Sequence, residues 1–198
     1  MLRLTDVSKR YKNHFALKNI NINIEKGKLY LFVGENGSGK STTIKLISKV
    51  IFNNSGGIIE NNFEKIVYLT DKCSNPNLLY DKTYLSMYLS KSTNINKIEE
   101  KMKEYHLENK MIASLSKGML QKLGILQIIL SNADLYIFDE PLNGLDKVST
   151  QKFKSDIKKL IENEKTVIIS THSRMLFRDL TPNIIKFKGG LVNEKTKA

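Results

Sequence analysis

The segment that most limits what this chain can fold into is Gly34-Glu-Asn-Gly-Ser-Gly-Lys-Ser41, which fits the pattern G-x-x-x-x-G-K-[ST]. An unbroken apolar run, Leu29–Val33, precedes it and reads as a strand buried on both faces. A helical pattern from Lys40 to about Val50 follows it. Strand, glycine turn and helix in that order form the setting in which this pattern holds a phosphate chain. Glycines let backbone N–H groups curl around phosphate oxygens without Cβ clashes, and the helix points its positive N-terminal end at the same oxygens. Gly34, Asn36, Gly37, Ser38, Gly39, Lys40, Ser41 and Thr42 are therefore the candidate phosphate-binding residues. Lys40 is expected to reach the β- and γ-phosphates of ATP, and the Ser41 hydroxyl to ligate Mg2+.

A strand that feeds a helix through such a turn needs neighbours of the same kind, and the chain supplies them. Leu2–Val7 and Ile20–Ile24 alternate apolar and polar residues. Ile66–Leu69, Leu135–Phe138, Thr166–Ser170 and Asn183–Phe187 are short apolar strands, and a charged amphipathic helix of about Lys147–Ile161 separates the second and third. From Pro76 to about Leu130 the period becomes helical, with Tyr80, Tyr84, Met87 and Tyr88 near one face. Strands alternating with helices argue for an α/β fold with a largely parallel sheet. The helical run reads as an insertion: a core of about 1–72 and 131–198, and a helical subdomain of about 73–130, in one folded unit.

Two carboxylates, Asp139 and Glu140, follow the strand Leu135–Phe138. The C-terminal ends of strands are where open α/β sheets bind ligands. Asp139 is expected to hold Mg2+, and Glu140 to polarise an attacking water as general base.

Together these motifs resemble the nucleotide-binding domains of ABC transporters, in the right order from about Met1 to about Lys188. Leu115-Ser-Lys-Gly-Met119 resembles the family signature, Asp139-Glu140-Pro141 its Walker B end, Leu142-Asn-Gly-Leu-Asp146 its D-loop, and Ile169-Ser-Thr-His172 its switch histidine. Tyr11, in Ser-Lys-Arg-Tyr, matches the aromatic that stacks on adenine. The resemblance implies a RecA-like P-loop NTPase core, a small N-terminal antiparallel β-subdomain and an inserted helical subdomain. It implies an Mg-dependent ATPase in which His172 contacts the γ-phosphate, while Ser116, Gly118 and Asp146 serve a nucleotide bound by a second ATP-binding subunit, identical or paralogous. The two chains would bury ATP head to tail. Asp71 stands where the family places a glutamine that contacts Mg2+, and is a further metal candidate. The Ser-Lys-Gly-Met form resembles subunits of bacterial drug, peptide and bacteriocin-immunity exporters.

The remaining features bound the partners. No run of about 18 apolar residues exists, so a permease would have to come from another chain. No signal peptide and no regulatory domain after Lys188 are expected, which puts the protein in the cytoplasm, peripheral on the inner face of the cell membrane. The formal charge of +12 comes from 32 Lys and Arg against 20 Asp and Glu. The lysines are scattered rather than blocked, which reads as a solvated surface, and nucleic acid is not an expected partner. The single cysteine, Cys73, rules out an internal disulfide, and no metal-binding spacing of His and Cys occurs. The C-terminal Asn-Glu-Lys-Thr-Lys-Ala reads as a solvated tail. Two other functions stay open on the sequence: a non-transport ABC ATPase, and a weakly hydrolysing immunity or regulatory subunit.

Overall fold

A computed structural model describes residues 1–52, 56–70, 79–89, 94–107, 109–172 and 174–197. The elements are β1 (Leu2–Tyr11), β2 (His14–Ile24), β3 (Leu29–Val33), α1 (Lys40–Ile47), β4 (Ile58–Asn61), β5 (Ile66–Leu69), α2 (Asp81–Tyr88), α3 (Ile95–Glu104), α4 (Lys117–Ile129), β6 (Leu135–Asp139), α5 (Lys147–Glu162), β7 (Thr166–Thr171), β8 (Asn183–Lys188) and β9 (Leu191–Lys197). The chain divides into two compact units: Met1–Tyr68 with Ala133–Glu140 and Lys158–Ala198, and Leu69–Asn132 with Pro141–Ile157. The second unit thus takes in Pro141–Ile157 as well as the helical run.

The first unit contains a three-stranded sheet in the order β2-β1-β4, antiparallel throughout. Leu2 faces Ile24 and Leu4 faces Ile22 across the β1–β2 pair, and all four are buried. Both strands run further than their alternating patterns. The ladder shifts register between Leu4 and Val7, where Asp6 adopts a left-handed φ of 52°, and again between Val7 and Lys9, where Asn19 on β2 adopts one of 44°. Each such irregularity flips the alternation, so the period-two signal stops before the strand does.

Six strands in the order β5-β6-β7-β3-β8-β9 form the main sheet. The pairs β6–β7, β7–β3 and β3–β8 are parallel. Leu31 and Phe138 both pair with Ile169, so the central strands end level with one another. Their side chains are buried on both faces, and Ile44 and Ile47 of α1 join Tyr30, Phe32, Ile137 and Ile168 in one core. The expected tail is not a tail. Gly189 and Gly190, with φ of 56° and 81°, turn the chain back, and β9 pairs antiparallel with β8 from Lys188↔Leu191 to Asn183↔Lys197. Backbone hydrogen bonding to an open sheet edge, which composition does not reveal, makes this strand.

In the second unit α2, α3 and α4 bury Leu85, Ile98, Met102, Leu123 and Leu126. Asn94 caps α3 by accepting from the Asn96 N–H at 2.9 Å, and Ser116 caps α4 by accepting from the Met119 N–H at 3.3 Å. Asp156 of α5 is buried, with Lys101 Nζ at 2.6 Å and the Tyr105 hydroxyl at 2.9 Å. Among the described residues, no helix is long and apolar enough to cross a membrane.

Candidate nucleotide site

The glycine segment links β3 to α1, and the Thr43 N–H donating to Gly39 O at 2.9 Å opens the helix. Gly39 has φ of 112°, which an L side chain seldom adopts. Gly34 is needed for a different reason: a Cβ there would lie 2.4 Å from Phe187 O. The turn after β8 braces the loop from behind, with Gly190 N–H donating to Ser38 O at 3.1 Å and Lys18 N–H to Gly190 O at 2.8 Å. Lys40 is buried; its Nζ donates to Gly34 O at 2.7 Å and Glu35 O at 3.0 Å, which holds the ammonium across the mouth of the loop. A cleft of about 600 Å³ opens here, lined by Gly34–Ser38, His172 and the basic side chains Arg174, Lys186 and Lys188. Ser38 lines it as well, and its buried Oγ finds no hydrogen-bond partner among the described residues. A loop with no room for a Cβ, an ammonium at its mouth and an unpaired hydroxyl suits a polyphosphate.

Asp139 ends β6 fully within the sheet, and Glu140 is the first residue beyond it. Glu140 Oε1 is buried, with His172 Nε2 at 3.0 Å and Lys40 Nζ at 3.8 Å. Neither contact has hydrogen-bond geometry, so this oxygen keeps its capacity to accept. Burial raises the Glu140 carboxyl above its ordinary range, while His172 and Lys40 pull it down and Asp139 adds to the rise. A carboxylate so placed can take a proton from water. The structure thus brings Lys40, Glu140 and His172 together where β3, β6 and β7 end.

The Ser41 hydroxyl, half-buried in the first turn of α1, and the Asp139 carboxylate are hard oxygen donors of the kind Mg2+ takes. Among the described residues no three His, Cys, Asp or Glu side chains gather to hold a metal. Mg2+ bound beside phosphates needs only one or two protein oxygens, so the donor set fits. Thr42 is half-buried next to Ser41. Tyr11 is 46% exposed at the end of β1, with Lys9 Nζ 5.3 Å from its ring centroid. Asp71 and Cys73 lie outside the described residues.

Ser116, Gly118 and Asp146 belong to the second unit and have their own internal ties. The Gly118 Cα carries no room for a side chain, since a Cβ would meet Gly144 O at 2.7 Å. Lys122 Nζ donates to Asp146 Oδ2 at 2.7 Å, and Ser149 N–H to Asp146 Oδ1 at 2.7 Å. The Lys122 hydrogen bond, with those from Ser149, holds the Asp146 carboxyl far below the usual range. Gln121 Nε2 donates to Pro141 O at 3.1 Å, so α4 is tied to this loop at two points. Sequence reasoning did not single out Gln121, Lys122, Ser149 or Ser170. Ser170 left one signal, a small polar residue directly after the apolar run Val167–Ile169.

Residues 17–143 match the family model described as ABC transporter. The cytochrome c biogenesis ATP-binding export protein CcmA of Reclinomonas americana is 36% identical over 177 residues, which is 81% of this chain and 80% of that protein. The lantibiotic transport ATP-binding protein SrtF of Streptococcus pyogenes is 31% identical over 87% of this chain and 80% of its own length. The solved dimeric, post-hydrolysis state of the ATP-binding cassette MJ0796 bound to ADP and Pi has a TM-score of 0.85 and 27% identity, covering 100% of this chain and 98% of that one.

Proposed function

Because the chain belongs to the ABC transporter family, as a subunit that binds and hydrolyses ATP to power a transporter, we propose that it drives export through a membrane permease supplied by another chain. The export function in the name of CcmA supports that direction, and SrtF supports transport as the task. The observation that carries the chemistry is the convergence of Lys40 and His172 on Glu140 at the mouth of the phosphate loop.

The backbone of Gly34–Thr42 cradles the phosphates, and Lys40 turns its ammonium from Gly34 O and Glu35 O to the β- and γ-phosphates. Tyr11 stacks on the adenine. Ser41 and Asp139 would hold Mg2+, which would supply neutralisation of phosphate charge. Glu140 accepts the proton of the attacking water, and His172 holds the γ-phosphate in line. Ser116, Gly118 and Asp146 complete the nucleotide site of a second ATP-binding subunit, so two chains close head to tail on two ATP molecules. The dimeric MJ0796 cassette supports that arrangement. The pair works at the inner face of the cell membrane, against the permease.

Glu140→Gln tests the central role. Its ATP turnover falls by about 100-fold or more, and the variant accumulates as an ATP-bound dimer on size exclusion. Turnover equal to the unmodified protein would remove Glu140 as the base.

A further inference from the structure

We propose that Ser170 is a positioning residue for hydrolysis, a single buried hydroxyl that sets the carboxylate of Asp139 and the backbone of Glu140 in one geometry. The inference rests on the roles proposed above for those two residues.

Ser170 lies in β7 directly beside Asp139, its register partner across the β6–β7 pair, and is fully buried. Its Oγ donates to Asp139 Oδ1 and accepts from the Glu140 N–H at 2.9 Å. The directions are not interchangeable. The amide can only donate, so the hydroxyl proton must go to the carboxylate. Ser170 therefore fixes which oxygen of Asp139 it engages, Oδ1.

The second bond matters because of what Glu140 does at the end of β6. Its φ is 48°, in the left-handed region that non-glycine residues rarely adopt. In a continuing strand, residues 139 and 140 would point to opposite faces of the sheet. The left-handed turn breaks that alternation and goes with the placement of the Glu140 carboxylate beside His172 and Lys40. The turn also takes the Glu140 N–H out of the β6–β7 ladder, which ends at Asp139↔Ser170. The Ser170 hydroxyl supplies the acceptor that the ladder no longer does. Two residues further on, the same segment carries His172, so metal-side carboxylate, base and histidine are all indexed to one stretch of backbone.

The test compares Ser170→Ala, Ser170→Thr and Ser170→Val with Glu140→Gln in the full chain. Thr and Val have nearly the same volume and differ in the hydroxyl. Expected are a fall in kcat of about 10- to 100-fold for Ala and Val, a KM for ATP changed by no more than about twofold, and substantial recovery in Thr. A second readout needs neither nucleotide nor metal: hydrogen exchange at the Glu140 amide accelerates in Ala and Val and stays slow in Thr. If Glu140→Gln is inactive while Ser170→Ala turns over normally, or while Thr and Val behave alike, the positioning role is overturned and the base assignment survives. If Glu140→Gln itself keeps full turnover, the base assignment fails and the positioning role fails with it. Should Thr not fold, the exchange rate of the Glu140 amide in Ala against the unmodified chain decides: unchanged protection overturns the proposal.

Discussion

Glu140 shows how a single side chain trades stability against activity. Its carboxyl is raised first by burial, so the folded chain holds that proton more tightly than the unfolded chain does. Stability therefore falls as pH rises from the ordinary glutamate value of 4.5 through the raised folded value. Replacing the carboxylate by the neutral amide removes this penalty. Glu140→Gln is expected to raise the thermal midpoint at neutral pH, with the difference closing as the pH approaches the ordinary glutamate range; scanning calorimetry across pH 4 to 8 checks this (the window follows from the raised carboxyl). At this scale the sequence was informative wherever a role depends on chain neighbours. Gly34–Ser41 and Asp139-Glu140 stand out because loop and carboxylates are each contiguous. Ser170 does not, because its meaning comes from a partner 31 residues away in the chain.

Elements depend on distant partners in the same way. The charged helix α5 was legible from its period, yet nothing in that period marks Asp156 as buried. Its place is set by Lys101 and Tyr105 on and just after α3, and Glu104 extends the network to Lys152. Burial, together with the negative charge of Asp156, pushes the Tyr105 phenol well above its usual range, so it stays a donor. Removing Asp156 leaves the Lys101 ammonium without its best partner in a site with little water. Asp156→Ala is expected to lower stability by about 3–5 kcal/mol, read from urea unfolding. A loss below about 1 kcal/mol would mean the pair is effectively solvent-screened. The short strand β4 and the terminal β9 were invisible for a related reason. Four residues are too few to show a period, and β9 is made by the free edge of β8 rather than by its own composition. The helical run from Pro76 to about Leu130, which holds α2, α3 and α4, could be read directly from its period.

At the scale of the whole assembly, the proposed head-to-tail dimer makes a sharp demand on mixed populations. Lys40→Ala disables a chain's own phosphate loop, and Ser116→Arg disables the site it lends to its partner. Each variant alone should be inactive. In a mixed dimer both lesions fall in one site and leave the other intact. Random mixing in equal amounts should therefore restore about a quarter of normal turnover, since about half the dimers are mixed and each has one working site of two. A mixture as inactive as its components would mean that the sites are not shared. Finally, the bracing of the phosphate loop by the turn at Gly189-Gly190 has a consequence for biosynthesis. The loop emerges early, at residues 34 to 41, but its outer wall is not made until residue 190. A nascent chain thus displays its most recognisable motif long before the backbone that braces it exists. The bracing of the phosphate loop therefore waits until the turn after β8 has been made, about 150 residues later in the chain.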